Sequence, residues 1–220
     1  MPSIYNEKTR FLVLDIETCK QSNHIIFDIA FGVYSRKEGV LGVAGYIVKE
    51  NENMIPYYED RLKLYADYIR KGEYNCKPFA RIMQEMAGII KKYALKYGVA
   101  YNSAFDFSRI EESCKQYNII NPLESLTEID LYNTACQTLG KQKYYKSFIE
   151  QNAHLKTEKG NRKTSAETFY GYMTQNPDFI EEHTGRGDVL IEMEILDRVI
   201  RQRKKMDTGR NPKAWQHAQG

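Results

Sequence analysis

The chain has 220 residues, of which 42% are apolar and 28% are charged, a composition that fits one globular domain with its own core and excludes disorder throughout. The formal net charge of +3 excludes a strongly basic protein that coats nucleic acid. The four cysteines are widely spaced and form no CxxC pair, so we expect reduced thiols rather than a zinc site or a disulfide framework.

No segment of the sequence has the length and apolarity of a membrane anchor. The longest apolar stretch, residues 41–48, is far shorter than the roughly 20 residues that cross a bilayer. The first ten residues contain no apolar run of signal-peptide length. We therefore expect a cytoplasmic protein with no membrane partner.

The first half of the sequence predicts three neighbouring strands followed by two helices. The strand candidates are apolar or β-rich runs at residues 11–16, 27–34 and 41–48. The helix candidates, residues 61–71 and 79–97, place apolar side chains at spacings of three and four. Gly98 is expected to end the second helix.

The second half alternates between short strands and helices. Strands are predicted at residues 99–101 and 129–132, and helices at residues 105–117, 145–154, 164–174 and 186–203. This order predicts an α/β fold with a mixed central β-sheet of about five strands flanked by helices. We expect one domain over residues 1–203 and a basic, loosely ordered tail over residues 204–220, because the last twenty residues hold six basic side chains and one acid.

Two carboxylates follow the apolar part of the first predicted strand. Asp15 and Glu17 are two residues apart, so on a strand they project from the same face of the sheet. A chain with this many acids contains such a pair about once by chance. The apolar run that leads into Asp15 nevertheless predicts a central strand, where adjacent carboxylates would repel each other unless a cation neutralised them.

Further candidate residues lie at two later junctions. Asp106 follows a short strand where a helix begins, and strand ends are where the sites of α/β proteins assemble. His183 and Asp188 are five residues apart where the last helix begins. Taken singly, Asp106 is better explained as an acid that stabilises a helix N-terminus, and Asp188 has the same alternative. A lone histidine is more often a packed or exposed residue than a catalyst.

Three motifs occur in a fixed order: D-x-E-T from Asp15, N-x-x-F-D from Asn102, and H-x-x-x-x-D from His183. In this order they resemble the DEDDh 3′-to-5′ exonucleases, a proofreading-type branch of the ribonuclease-H-like superfamily, over residues 11–200. The resemblance implies a ribonuclease-H-like fold. It also implies a metal-dependent enzyme that hydrolyses single-stranded nucleic acid from the 3′ end, DNA somewhat favoured over RNA, and releases nucleoside 5′-monophosphates by a two-metal mechanism.

The resemblance assigns a role to each matching residue. It implies that two Mg²⁺ or Mn²⁺ ions are held by Asp15, Glu17, Asp106 and Asp188. It implies that His183 is the general base. It also implies that the substrate is contacted by Thr18, Asn102 and Phe105. Carboxylate oxygens are the hard ligands that these ions prefer.

A basic and aromatic segment follows residue 140. We hypothesise that Lys143, Tyr144 and Tyr145 contact the substrate strand, because cations meet phosphates and rings stack on bases. The alternative is a solvated helix with a buried aromatic face. Trp215, in the basic tail, is a candidate docking anchor.

Two other functions stay open at this stage. One is a structure-selective endonuclease of the ribonuclease-H-like group. The other is a nucleic-acid-binding or polymerase-tethered module without turnover. The expected partner is single-stranded nucleic acid with a free 3′ end, and for a proofreading role a polymerase or another replication protein.

Overall fold

Six strands form one mixed sheet at the centre of the computed structural model, which describes residues 3–19, 22, 24–57 and 59–219, with the backbone alone at 55–57 and 59–60. The strands are β1 (Arg10–Cys19), β2 (Ile25–Ser35), β3 (Gly39–Val48), β4 (Tyr74–Lys77), β5 (Tyr97–Ala100) and β6 (Thr127–Asp130). Their order is β4-β3-β2-β1-β5-β6. β1, β2 and β3 pair antiparallel, whereas β4, β5 and β6 each join a neighbour in parallel. The predicted mixed α/β sheet is confirmed.

Helices cover both faces of the sheet. They are α1 (Glu59–Arg70), α2 (Phe79–Lys92), α3 (Ser103–Gln116), α4 (Leu131–Thr138), α5 (Lys143–Gln151), α6 (Ala166–Thr174) and α7 (Gly185–Arg201). Side chains of α4 to α7 form one core with one face of β1, and those of α2 and α3 form a second core with the opposite face. No helix among the described residues is long and apolar enough to span a membrane.

β1 lies inside the sheet because its side chains are apolar on both faces. Phe11 and Val13 belong to the core under α4 to α7, and Leu12 and Leu14 belong to the core under α2 and α3. All four side chains are fully buried. A continuous apolar run is typical of a strand that is covered on both faces, and the prediction of a central strand before Asp15 is confirmed.

The structure differs from the sequence prediction in several elements. β4 was not predicted, because its four residues, Tyr74–Lys77, are too short and polar to show a strand pattern. α2 ends at Lys92 rather than near Tyr97. Gly98 does not end that helix but lies within β5, where a Cβ atom would meet the Phe107 ring at 2.9 Å.

Another difference concerns the segment that follows β5 and α3. The predicted strand at 129–132 is shifted, since β6 ends at Asp130 and α4 begins at Leu131. The Asp130 side chain accepts a hydrogen bond from the backbone N–H of Tyr132 at 3.1 Å and so caps α4. Helix α4 was not predicted from the sequence.

The basic segment after residue 203 lies against α4 and β6. The backbone N–H of Asp130 donates to the Thr208 carbonyl at 2.8 Å, and Arg210 pairs with Glu128 at 2.6 Å. Ala214 and Ala218 are fully buried. The domain boundary at residue 203 stays a prediction, but the described part of the segment, residues 204–219, makes specific contacts with the remainder of the fold.

Candidate active site

β1 carries Asp15 and Glu17 to the side of the sheet that faces α7. Strand side chains alternate between faces, so the side chains of Phe11, Val13, Asp15 and Glu17 all lie on one face of the sheet. Asp15 and Glu17 lie beyond the last apolar residue of that row, where the strand leaves the core. The predicted common face of the two carboxylates follows from this register.

Asp106 reaches the same place from α3. It lies in the first turn of the helix, is 3% exposed, and its Oδ1 accepts a hydrogen bond from the backbone N–H of Ile16 at 3.2 Å. Asn102, with φ of 61°, makes the tight left-handed turn that leads from β5 into α3. The bond to Ile16 fixes the Asp106 carboxylate between the backbone positions of Asp15 and Glu17.

The N-terminus of α7 supplies Asp188. Thr184 caps this helix, since its Oγ1 accepts a hydrogen bond from Gly187 N at 3.2 Å. Gly185 is packed against β2, and a Cβ atom there would lie 3.2 Å from the Cβ of Ala30. A larger residue there would press on β2, so glycine favours this close approach, which brings the first turn of α7, with Asp188, over the end of β1.

His183 lies at the rim of these carboxylates. Ligand atoms of Glu17, His183 and Asp188 all lie within 4.8 Å of one another, and a second group of this kind joins His183 to Glu167 and Glu181. The His183 side chain is 53% exposed, and its Nδ1 is 3.8 Å from a Glu181 carboxylate oxygen. The structure thus brings together Asp15, Glu17, Asp106, His183 and Asp188.

The carboxylates raise one another's pKa. Burial, followed by the charges of Asp106, Glu192, Asp188 and Glu17, raises the pKa of Asp15 well above its ordinary range. Burial is also the main cause that raises the pKa of the three other acids to about 8: Glu17, Asp106 and Asp188. Arg61, 3.5 Å from Glu17, opposes the rise at Glu17. Ionised together, these groups would repel strongly, and a divalent cation would relieve that repulsion.

The donor atoms fit such a cation. Among the described residues, Asp15 Oδ2 and Asp188 Oδ1 are buried without a hydrogen-bond partner. Buried polar atoms are normally paired, so these two oxygens need an explanation. A hard divalent cation that binds carboxylate oxygens supplies one.

Glu192 is a fifth carboxylate that the sequence analysis missed. It lies one helical turn after Asp188 on α7 and is 2% exposed. Its Oε1 accepts a hydrogen bond from Tyr101 N at 3.1 Å, while its Oε2 is buried and unpaired among the described residues. The spacing of four from Asp188 places both side chains on one helix face, and this is the signal that could have revealed it.

Asp28, on β2, was also not predicted, and its side chain links β2 to the start of α7. It is opposite Glu17 in the β1–β2 register and fully buried. Its Oδ2 accepts hydrogen bonds from Tyr65 OH at 2.6 Å, Tyr74 OH at 2.9 Å and Gly185 N at 2.9 Å. Burial raises the pKa of Asp28 to about 6, and these donors oppose the rise. A single acid in an otherwise apolar strand was its signal in the sequence.

Two of the predicted substrate contacts, Thr18 and Phe105, both lie against His24. Thr18 Oγ1 is 3.3 Å from Nδ1 of His24, and the His24 ring meets the edge of the Phe105 ring at 5.6 Å between centroids. Asn102 is exposed at the turn before α3. The roles of Thr18, Phe105 and Asn102 in substrate binding stay predictions.

The predicted substrate contacts on helix α5 differ in their exposure to solvent. Lys143 is exposed and Tyr144 is 81% exposed. Tyr145, in contrast, is fully buried, stacks on Phe169 at 4.8 Å between centroids and donates a hydrogen bond to the Lys163 carbonyl. The prediction that Tyr145 contacts the strand is therefore wrong, because a buried ring presents no face to a base.

Comparison with solved structures finds the same fold in exonuclease I. The structure of E. coli exonuclease I with a dA16 oligonucleotide matches with a TM-score of 0.52 at 11% identity, over 95% of this chain and 42% of that chain. A product-bound structure of exonuclease I matches with a TM-score of 0.57 at 13% identity, over 95% of this chain and 45% of that chain. A third exonuclease I structure matches with a TM-score of 0.54 at 12% identity, over 95% of this chain and 43% of that chain.

These likenesses concern three-dimensional structure. No protein-family model and no curated protein matches the sequence. The chain spans less than half the length of the solved exonucleases that it matches. Identities this low show the fold alone, and at that level they confirm the predicted resemblance: the chain has the mixed α/β architecture of exonuclease I.

Proposed function

We propose that the protein is a metal-dependent 3′-to-5′ exonuclease that hydrolyses phosphodiester bonds at the 3′ end of single-stranded nucleic acid, DNA in preference to RNA. The observation that carries the proposal is the convergence of carboxylates from β1, α3 and α7 beside His183. The fold shared with exonuclease I supports a nuclease of the exonuclease type.

The acids would hold two divalent cations, Mg²⁺ or Mn²⁺. The residues that would bind them are Asp15, Glu17, Asp106 and Asp188, whose oxygens suit hard cations. Bound there, the ions would activate water and neutralise negative charge on the scissile phosphate. The hydrogen bond from Ile16 N and the capped start of α7 hold two of these carboxylates in place before substrate arrives.

His183 suits the role of general base. Its ring is half exposed at the rim of the carboxylates, where water and a phosphate have access. A ring nitrogen takes the proton of the attacking water. The Glu181 carboxylate, 3.8 Å from Nδ1, stabilises the imidazolium that forms. The leaving group is the 3′-oxygen of the shortened strand, and the product is a nucleoside 5′-monophosphate.

The substrate is inferred from surrounding side chains and from the solved relatives. One matching structure contains exonuclease I with a dA16 oligonucleotide. In the present chain, Thr18 follows Glu17, Phe105 precedes Asp106, and both side chains contact His24, so the 3′-terminal nucleotide would bind there. A polymerase or another replication protein as a partner stays a prediction from the sequence.

A digestion assay tests the proposal. Single-stranded DNA, single-stranded RNA and duplexes, each labelled at the 5′ end, are incubated with the protein and Mg²⁺ or Mn²⁺. We expect a ladder that shortens from the 3′ end, fastest on single-stranded DNA, and none with a blocked 3′ end. Asp15→Asn should abolish digestion, whereas Asp178→Asn, a change at an 85% exposed side chain, should not.

Other outcomes would contradict parts of the proposal. Cleavage of 3′-blocked strands at internal positions would indicate the endonuclease. Binding of strands without cleavage under any of these conditions would indicate a module without turnover. Full digestion by Asp15→Asn would show that the reaction does not use the carboxylate cluster.

A further inference from the structure

A cavity of about 770 Å³ lies beside the α4–α6 side of the fold. Its walls include Tyr132, Lys159, Arg162, Lys163, Ser165 and Trp215. This volume falls within the roughly 300–1,000 Å³ that small-molecule sites in proteins commonly have. None of these residues belongs to the carboxylate cluster or to the contacts predicted for the substrate.

Two distant parts of the chain build the walls and are tied together. Arg162 donates hydrogen bonds to the carbonyls of Ala218 at 3.0 Å and Gln219 at 2.9 Å. The backbone N–H of Trp215 donates to Tyr132 OH at 3.1 Å. A cavity held in shape by such bonds loses little conformational entropy when a ligand binds.

Tyr101 connects this cavity to the carboxylates. The parallel pairing of β5 with β1 reaches Val13 and Val99, and Tyr101 directly follows the end of β5. The Tyr101 backbone N–H donates to Glu192 of the carboxylate cluster, while its hydroxyl donates to the Thr164 carbonyl in the cavity wall. The cavity and the acids are therefore separated by about the length of one tyrosine side chain.

Helix α6 provides a second connection. The Ser165 side chain caps α6 and lines the cavity. Two residues later, Glu167 lies within the group of ligand atoms formed with Glu181 and His183, all within 4.8 Å of one another. A strand whose 3′ end lies at His183 would therefore pass close to the cavity.

The cavity walls have the chemistry that a single strand requires. Trp215 and Tyr132 are partly exposed rings, and Lys159 and Lys163 are exposed cations. Arg162 forms an ion pair with Glu150 at 2.9 Å, so its charge is neutralised within the cavity wall. Proteins that bind single strands combine aromatic rings for the bases with cations for the phosphates.

We propose that this cavity binds a nucleotide of the substrate strand upstream of the scissile phosphate, with its base against Trp215 and its phosphate near Lys159 and Lys163. The inference rests on the proposed exonuclease function, because it requires the 3′ end of that strand to lie at the carboxylates. It assigns a substrate-binding role to the loop at residues 157–165 and, in the segment after residue 203, to Trp215.

Trp215 is the one tryptophan of the chain, so intrinsic tryptophan fluorescence reports on this cavity alone. The Asp15→Asn protein, which leaves the strand uncut, is titrated with a thymidine octamer and separately with thymidine 5′-monophosphate. Binding of the octamer is followed in parallel by anisotropy of a 5′ label. We expect the octamer to quench Trp215 at the concentrations that raise the anisotropy, and the mononucleotide to leave the fluorescence unchanged.

The second part of the test measures the kinetics of variants that keep the natural Asp15. Lys159→Gln with Lys163→Gln should raise KM for the octamer and make the dependence of log affinity on log salt shallower by about 1.4. Trp215→Leu should raise KM about tenfold or more, and Trp215→Phe, which keeps a stacking ring, should raise it less. Neither kcat nor hydrolysis of thymidine 5′-monophosphate p-nitrophenyl ester should change. The matched control is Lys204→Gln with Lys205→Gln, two exposed lysines outside the cavity.

The outcomes separate the two proposals. Unquenched Trp215 in a complex saturated with octamer, or an unchanged KM in the Lys159/Lys163 variant, would overturn the cavity inference and leave the exonuclease function intact. Quenching by an acidic peptide but not by the octamer would also overturn it and indicate a protein partner. Absence of Asp15-dependent hydrolysis of the p-nitrophenyl ester and of the octamer would contradict the exonuclease function itself.

Discussion

The Asp28 carboxylate on β2 accepts a hydrogen bond from the backbone N–H of Gly185, 2.9 Å away at the start of α7. The two residues are 157 positions apart in the chain. The same carboxylate oxygen also accepts the hydroxyl groups of Tyr65 and Tyr74. One buried acid therefore aligns the helix that carries Asp188 with the strands that carry the other carboxylates.

Replacement of Asp28 by alanine should both destabilise the fold and weaken activity. The change leaves two tyrosine hydroxyls and one backbone N–H buried without an acceptor, at a cost of about 3 kcal/mol in the free energy of unfolding. Tyr65→Phe, which removes one donor, should cost about 1 kcal/mol. Urea denaturation measures both. Equal stability of the Asp28→Ala and natural proteins would show that this bond does not hold α7.

The stability of the metal-free protein should decrease as pH rises. The pKa values of Glu17, Asp106 and Asp188 are raised to about 8 in the folded state, above their ordinary values near 4. Their contribution to stability is therefore fully present below about pH 4 and is lost as pH rises through about 8. Thermal melts in a chelator from pH 5 to pH 9 should show this decrease, and saturating Mn²⁺ should reduce it. A melting temperature that rises over this interval would contradict the clustering of the acids.

Two substitutions of Glu192 should distinguish the effect of its negative charge from the effect of its hydrogen bond to Tyr101 N. Glu192→Gln keeps an acceptor for Tyr101 N and removes a negative charge, so the metal-free protein should become more stable and its affinity for Mn²⁺ should decrease. Glu192→Leu leaves the Tyr101 N–H without its acceptor and should be less stable than Glu192→Gln by about 1–3 kcal/mol. Thermal melts with and without Mn²⁺ measure both quantities. Equal stability of the two variants would exclude a role for the bond to Tyr101.

Gly185→Ala should disturb the site through steric contact alone. The added Cβ would lie 3.0 Å from Asp28 Oδ1 and 3.2 Å from the Ala30 Cβ, so α7 must shift away from β2. We expect a loss of about 1–3 kcal/mol in stability and a decrease in kcat. The matched control is Gly88→Ala in α2, where an added Cβ meets no atom within 4 Å and should stabilise the helix by about 0.5–1 kcal/mol. A Gly185→Ala protein as active as the control would contradict the close approach.

His183→Gln should affect turnover and leave the cations bound. We expect kcat to fall by about 10² to 10⁴-fold, the usual contribution of a general base. Calorimetric titration with Mn²⁺ should give an affinity close to that of the unchanged protein, because the four carboxylates remain. Loss of Mn²⁺ affinity in this variant would show that His183 is a ligand rather than a base.

The acids of the candidate site were predictable because their signals are local. The apolar run that ends at Asp15 and Glu17 predicts a buried strand with two acids at its end. The alternation of side chains along a strand predicts that both acids lie on one face of the sheet. Asp106 and Asp188 were recognisable from their positions at helix starts and from the order of the three motifs. The mixed sheet followed from the order of strands and helices.

What the sequence did not reveal depends on contacts between distant residues. Nothing in the local sequence of Asp28 shows that it meets Gly185, and nothing in the basic segment after residue 203 shows that it lies against α4. Tyr145 is a different case. Together with Phe148 and Ile149 it forms an apolar stripe at helical spacing, so its burial could be predicted from the sequence despite the lysines beside it.

The central claim, that carboxylates from three distant segments form one cation-binding centre, is tested most directly by anomalous diffraction from crystals grown with Mn²⁺. The account predicts anomalous peaks within bonding distance of Asp15 and of at least one carboxylate among Glu17, Asp106 and Asp188, and their loss in Asp15→Asn. Mn²⁺ found elsewhere, with none at Asp15, would contradict it.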